Sequence, residues 1–285
     1  MSGVMEQSAE ENERFVTADC SGHLLFEGPY PSPPCRGTFT VFAPTNRAFE
    51  QLPPLTLAYL SNNTNALAEV LKYHVVPGSV VKSAASNELQ VTSLEGSKIR
   101  FNVYPFNNLT VTVDGVRVNA FDILASNGVV HIIDAVMIAP AGDIVTQLND
   151  HYDFTTLVSK VTQAGLAGDL MGNNLTVFAP NNAAFAKLST AALQRLENDK
   201  NMLREVLLYH VVPHTVYSAG LFNKEKLSTL DTNGDSVQIS MTSQNVYLNL
   251  YSQVTEADVT ATNGVIHVID HVMVPDRYYI SLVVG

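Results

Sequence analysis

The sequence predicts an α+β fold built twice in tandem, and three observations carry that expectation. The block Thr38 to Phe49 (TFTVFAPTNRAF) returns as Asn174 to Phe185 (NLTVFAPNNAAF), 136 residues later. The same offset maps Tyr73-His74-Val75-Val76-Pro77 onto Tyr209-His210-Val211-Val212-Pro213, and Asn127-Gly128-Val129-Val130-His131 onto Asn263-Gly264-Val265-Ile266-His267. Within each copy, an early stretch with helical periodicity gives way to strands alternating with a period of two. One register across three landmarks marks a duplicated domain rather than a solenoid of short units.

The 285 residues, 46% of them hydrophobic, suffice for two domains with their own cores. The break falls where the apolar run Val129 to Ile138 ends in Pro140-Ala141-Gly142. This places a first domain at 38–140 and a second at 141–275, with an atypical segment 1–37 packing on or near the first domain and a tail at 276–285. So short a linker restricts the relative orientation of the two domains.

In the second copy, Phe154, Leu157, Val158 and Val161 follow the i, i+3, i+4, i+7 spacing of an amphipathic helix. Leu175 to Phe178 is a short strand, and Pro180-Asn181-Asn182 makes a turn that caps a helix over Ala183 to Leu188. Another short helix begins at Thr190. Leu203, Val206, Leu207 and His210 share one face of a further helix that must stop before Pro213. From there the period is two: Val237, Ile239 and Met241, then Val246, Leu248 and Leu250, then a run from Val265 to Val274. In the first copy, VTVDGVRV sets Asp114-Gly115 between alternating apolar residues, a two-residue hairpin signal.

Composition excludes several classes. A formal charge of −11 with only 16 Lys and Arg residues argues against nucleic acid and anionic lipid as partners. No apolar run approaches the ~20 residues of a membrane-spanning helix, and the acidic opening MSGVMEQSAEENER is unlike a signal peptide. On a secreted reading, the targeting segment lies outside this chain. Cys20 and Cys35 either close a small loop, worth about 3 kcal/mol on the chain-entropy model, or remain two thiols. No nucleophile elbow, phosphate loop or metal helix is present, so no enzyme and no cofactor is expected. His267 and His271 share a face of the expected last strand, but no third ligand is evident and no metal site is expected.

Together, TVFAPTNRAF, the Tyr-His pair after a leucine-rich helix, and NGVVHIIDAVMIAP resemble the fasciclin (FAS1) domain family over Thr38 to Pro140 and Phe154 to Pro275. The resemblance implies a β-sandwich-like core with flanking N-terminal helices in each domain. It also implies a non-enzymatic extracellular module, secreted or at the cell surface, that binds an integrin-like receptor or a matrix protein, with homotypic association as a further mode. By carry-over the contact residues are Tyr73, His74, Tyr209 and His210, together with the Asp-Ile dipeptide Asp122-Ile123 and its variant Asp258-Val259. A carboxylate there can complete the coordination of a receptor's bound cation. Against this, His74 and His210 lie on apolar helix faces suited to core histidines, and each aspartate suits a turn beside a strand.

The alternatives are a self-assembling matrix component whose acidic surface engages calcium or mineral, and a small-ligand carrier with a deep apolar pocket. Sequons at Asn62, Asn108 and Asn174 are compatible with secretion without marking it. The copies differ at one end. Ala18 to Gly37, opposite the helix-forming Phe154 to Asn173, carries Gly22, Gly28 and four prolines and cannot continue a helix. There Leu24, Leu25 and Phe26 either plug the helix's site or leave apolar surface for self-association.

Overall fold

The structure is a computed structural model that describes residues 16–18, 24–26, 37–105, 109–280 and 282. Two short strands, β1 (Val16–Ala18) and β2 (Leu24–Phe26), pair antiparallel ahead of the first domain. That domain runs β3 (Phe39–Pro44), α1 (Asn46–Glu50), α2 (Pro54–Asn62), α3 (Thr64–Tyr73), β4 (Val75–Pro77), β5 (Leu89–Thr92), β6 (Lys98–Tyr104), β7 (Thr110–Val113), β8 (Val116–Ala125) and β9 (Gly128–Ile133). The second begins with α4 (Ile144–Asp150) and α5 (Thr155–Ala164), which have no counterpart among the described residues of the first. It continues through β10 (Leu175–Pro180), α6 (Asn182–Ala186), α7 (Thr190–Asn198), α8 (Lys200–Leu208), β11 (Val211–Val212), β12 (Lys226–Ser228), β13 (Ser236–Met241), β14 (Val246–Leu248), β15 (Ser252–Ala261) and β16 (Gly264–Ile269), and ends in α9 (Asp276–Tyr279).

Each domain is one seven-stranded sheet with its helices, ordered β4-β3-β9-β8-β7-β6-β5 and β11-β10-β16-β15-β14-β13-β12. All neighbours are antiparallel except β3 with β9 and β10 with β16. The long strands β8 and β15 give the sandwich character. Register shifts break β8 between Val118 and Ile123, so it pairs with β7 near its start and with β9 beyond. The parallel pair explains the Asn-Gly dipeptides: a Cβ on Gly128 would stand 1.9 Å from the Phe39 carbonyl oxygen, and one on Gly264 2.0 Å from that of Leu175.

Side-chain caps start the helices where the sequence signals them, with Thr45, Asn63, Asn181, Ser189 and Asp199 each accepting a first-turn N–H. The second domain's core joins α4, α5, α7 and α8 to one sheet face through Leu148, Leu157, Leu196, Leu203 and Leu207. In the first domain β2 lies against α3, where the second domain sets α5 against α8.

Two expectations need correction. Leu250 does not continue the alternation of β14, because Asn249 (φ 50°) and Leu250 (φ 69°) form the hairpin turn and leave Leu250 75% exposed. The run to Val274 ends as a strand at Ile269, so His271 lies beyond β16 and does not share a face with His267. The tail at 276–285 begins as α9, which Arg277 pins to Asp231 (2.9 Å), Glu205 (3.1 Å) and Asp235. Cys20 and Cys35 lie outside the described residues.

Candidate functional site

The Tyr-His pairs sit at the ends of α3 and α8 and are buried in both domains. His74 Nδ1–H donates to the Val70 carbonyl at 2.8 Å, while Nε2 accepts the Met137 N–H at 3.0 Å. His210 repeats this with Val206 (2.7 Å) and Met273 (2.9 Å). Each ring therefore fastens a helix end to the segment leaving the last strand, and it does so only as the neutral Nδ1–H tautomer. The four residues Tyr73, His74, Tyr209 and His210 are thus corrected from contact residues to core residues. The tyrosines leave the face that carries Leu71 and Leu207 and turn inward onto the hairpins, Tyr73 against Asp114 and the Lys98 carbonyl and Tyr209 against Asn249 and the Ser236 carbonyl.

Burial lowers both histidines to about 4. The unfolded chain takes these protons near 6.5, so the stabilisation is complete above that pH and is lost as the pH falls through 4. Each site contributes up to about 3 kcal/mol at pH 7. Urea midpoints measured between pH 7 and 4 are expected to fall, and His210→Phe is expected to flatten the slope; a flat profile for the native chain would refute the assignment.

Asp122 and Asp258 occupy β-bulges. Phe121 and Asp122 together oppose His131, and Ala257 and Asp258 oppose His267. The extra residue forces a left-handed backbone on each aspartate, φ 60° and 65°, which Asp tolerates better than most side chains. The aspartate N–H donates to the facing histidine Nδ1 at 3.1 and 3.2 Å. The same rings donate from Nε2 to the Val80 and Val216 carbonyls, both at 2.8 Å. His267 has both nitrogens engaged in this way, and burial depresses its pKa.

The copies then diverge. Asp122 Oδ1 accepts the Lys82 N–H at 2.9 Å. Asp258 is held by both oxygens, Oδ1 by the Ser218 N–H (2.7 Å) and Oδ2 by the Ser218 hydroxyl. Ile123 and Leu124 are exposed, 40% and 82%, whereas Val259 packs on the core built by α4 and α5. Only the first copy presents a carboxylate beside accessible aliphatic side chains.

The domains are joined by a buried polar seam for which the sequence carried no signal. Arg100, 3% exposed, reaches Glu88 (2.6 Å), the Thr262 carbonyl (3.3 Å) and Asn174 Oδ1. Glu88 also accepts the Thr215 N–H at 3.0 Å, and Tyr104 Oη accepts the Tyr217 N–H at 3.0 Å. Tyr217 lies over Gly115 and Tyr104 over Gly220, where added Cβ atoms would fall 2.3 and 2.2 Å from the rings. The restricted orientation expected from the short linker is therefore enforced by contact.

Asn174, one of the three sequons, has its amide engaged in this seam. Asn62 stands exposed at the end of α2, and Asn108 lies outside the described residues. For a carried ligand, the space among α5, α8 and β10 amounts to about 20 Å³, room for one water. The cleft of about 770 Å³ between the domains has Asp114, Arg117, Asp134 and Asp258 in its walls, unlike a deep apolar pocket. Among the described residues no His, Cys, Asp and Glu cluster is arranged to hold a metal ion, and no helix is long and apolar enough to cross a membrane.

The fasciclin domain model matches residues 34–139 and 152–275. The transforming growth factor-beta-induced protein ig-h3 of Sus scrofa is 34% identical over 243 residues, which are 84% of this chain and 35% of that protein. Human periostin is 30% identical, covering 85% of this chain and 29% of its own length, and fasciclin-1 of Schistocerca americana is 28% identical, covering 86% and 40%. The chain thus spans about a third of the length of these curated relatives. A solved FAS1 domain pair from the insect cell adhesion molecule Fasciclin I shares 21% identity at a TM-score of 0.45, over 84% of this chain and 90% of that one. With both sequence blocks, both seven-stranded sheets and two matches of the domain model in agreement, the chain belongs to the fasciclin family and carries two copies of its domain.

Proposed function

We propose that the chain is a non-enzymatic, extracellular adhesion or matrix-binding module whose receptor contact is the Asp122-Ile123-Leu124 ridge of the first domain. The observation that supports this most is the asymmetry of the two bulges. Asp122 keeps one carboxylate oxygen outside its cap and sits beside exposed Ile123 and Leu124, while Asp258 is doubly bonded and Val259 is covered. A carboxylate flanked by accessible aliphatics suits an integrin-like receptor that binds through a divalent cation, because the oxygen enters the metal's coordination shell while the apolar side chain is buried beside it. The names of the relatives, fasciclin-1 among them, are consistent with this reading.

Asp122→Asn provides the test, because asparagine tolerates the left-handed backbone and still accepts the Lys82 N–H but cannot ligate a cation as a carboxylate does. Cell adhesion to the immobilised protein is expected to fall about tenfold with Asp122→Asn and with Ile123→Ser, and to stay unchanged with Asp258→Asn. Undiminished adhesion of the first two variants, with native melting curves, would remove the ridge from consideration.

A further inference from the structure

We propose that the first domain binds an amphipathic helix of a partner protein, laid in an apolar trough between α3 and β9 where the second domain sets its own α4 and α5. This goes beyond the receptor reading and rests on different observations. In the second domain β10 and β16 are buried at every position. In the first, β9 alternates half-buried with buried residues, and β3 does so through Phe42, so one face of the sheet stays partly open. That face is apolar, with Val41 on β3 and Val130 and Ile132 on β9. Helix α8 likewise buries Leu203, Val206 and Leu207, whereas their counterparts on α3, Leu67, Val70 and Leu71, are only half-buried even with β2 against that helix.

The polar fastenings of the covering helices are retained as well. In the second domain Asn182 Oδ1 accepts the Thr156 N–H at 2.9 Å, in the first turn of α5, and its Nδ2–H donates to the Tyr152 carbonyl at 3.0 Å. Asn263 holds both ends of the covering segment: its Oδ1 accepts the Ile144 N–H at 2.9 Å, and its Nδ2–H groups donate to the Leu170 and Gly172 carbonyls at 2.8 and 2.9 Å. The 136-residue register puts Asn46 and Asn127 at these two positions of the first domain, and among the described residues neither amide has a partner. An apolar trough flanked by free amides suits a helical segment, whose first N–H groups and last carbonyls have no partner within the helix.

The occupant is a helix of another polypeptide. Ahead of β3 the stretch 18–37 is rich in Gly and Pro, and the opening MSGVMEQSAEENER is acidic and polar, so neither supplies an amphipathic helix. A second copy does not supply it either, because Ile144, Leu148, Leu157 and Val161 of α4 and α5 are buried in its own second domain. Apolar spacing rather than charge selects the partner. The ion pairs Lys160–Glu197 (2.6 Å) and Asp169–Arg204 (3.1 Å), which fasten the cover of the second domain, have Ser61 and Ala68 in place of Glu197 and Arg204 in the first. Ile123 pairs with Val130 in the β8–β9 ladder and continues the open face toward the receptor ridge, so the two contacts adjoin without sharing Asp122.

Fluorescence anisotropy of a labelled peptide reproducing residues 143–172, titrated with the full chain, tests this, because that peptide carries the apolar spacing and the helix ends that fill the same trough in the second domain. Saturable binding is expected. Leu71→Gln and Val130→Thr in the full chain, polar replacements of similar size, are each expected to weaken it about tenfold, and Asn127→Ala about fivefold. Leu157→Gln together with Val161→Thr in the peptide is expected to abolish binding while the protein itself stays native. Asp122→Asn is expected to bind the peptide like wild type, which separates the trough from the receptor ridge. A wild type that leaves the peptide unbound, trough variants with native melting curves that bind it undiminished, or a doubly substituted peptide that still binds would each overturn the proposal.

Discussion

Asp114→Asn is expected to raise the stability of the chain at pH 8 by up to about 3 kcal/mol and to change it little at pH 4. Tyr73 Oη lies 2.7 Å from Asp114 Oδ2 and 3.0 Å from the Lys98 carbonyl, but a phenol has a single proton to donate. Both contacts are satisfied only when the carboxyl itself is protonated and donates to the phenol. The second domain meets the same demand without a charge. Asn249 Nδ2–H donates to Tyr209 Oη at 2.9 Å, freeing the phenol to donate to the Ser236 carbonyl at 3.1 Å.

Burial accordingly pushes Asp114 up from 3.8 to about 6, while Tyr73, Arg100 and its backbone N–H pull the other way. The folded chain thus holds this proton more tightly than the unfolded one. The contribution is fully present below 3.8 and is lost as the pH rises through 6. This slope opposes that of the two buried histidines, so removing it should steepen the acid destabilisation. Thermal melts of both proteins at pH 4 and pH 8 provide the check; an equal shift at the two values would rule out the buried carboxyl as its cause.

Arg100→Ala is expected to cost about 3–5 kcal/mol, because it strands Glu88 in the seam without its cation and leaves the Asn174 and Thr262 oxygens short of a donor. Each domain keeps its own core, so the loss should appear as uncoupling: one calorimetric transition separates into two, and small-angle scattering reports a wider range of interdomain orientations. A variant that still melts in one step at the native temperature would show that the domains are held by other contacts.

Much of the architecture was legible along the chain. The 136-residue register, the Asp114-Gly115 hairpin, the caps at Asn181 and the α8 face through Leu203, Val206 and Leu207 depend on neighbours a few residues apart, and such neighbours leave a periodic trace. The burial of His74 was visible in the same way, as a histidine in phase with Leu71. The inward turn of Tyr73 was not, because it depends on a hairpin 41 residues distant that supplies Asp114 as its partner.

What the sequence determined by itself is the duplication and the unsuitability of the Gly- and Pro-rich stretch 18–37 of the first copy for a continuous helix, since proline and glycine act through their own backbone geometry. The tertiary structure alone decided which surfaces remain in use. Arg100 and Asn174, or Asp114 and Thr260, come from different domains and carry no mutual spacing signal. Asp122-Ile123 and Asp258-Val259 look alike in sequence, yet Ser218 holds Asp258 by both oxygens and the α4–α5 core covers Val259, while Asp122 is held by one oxygen and Ile123 stays exposed. Contacts between distant residues are set by how the two sheets close and meet, and it is there that the two copies, nearly alike as sequences, become a carboxylate ridge at one end and a leucine-tipped turn at the other.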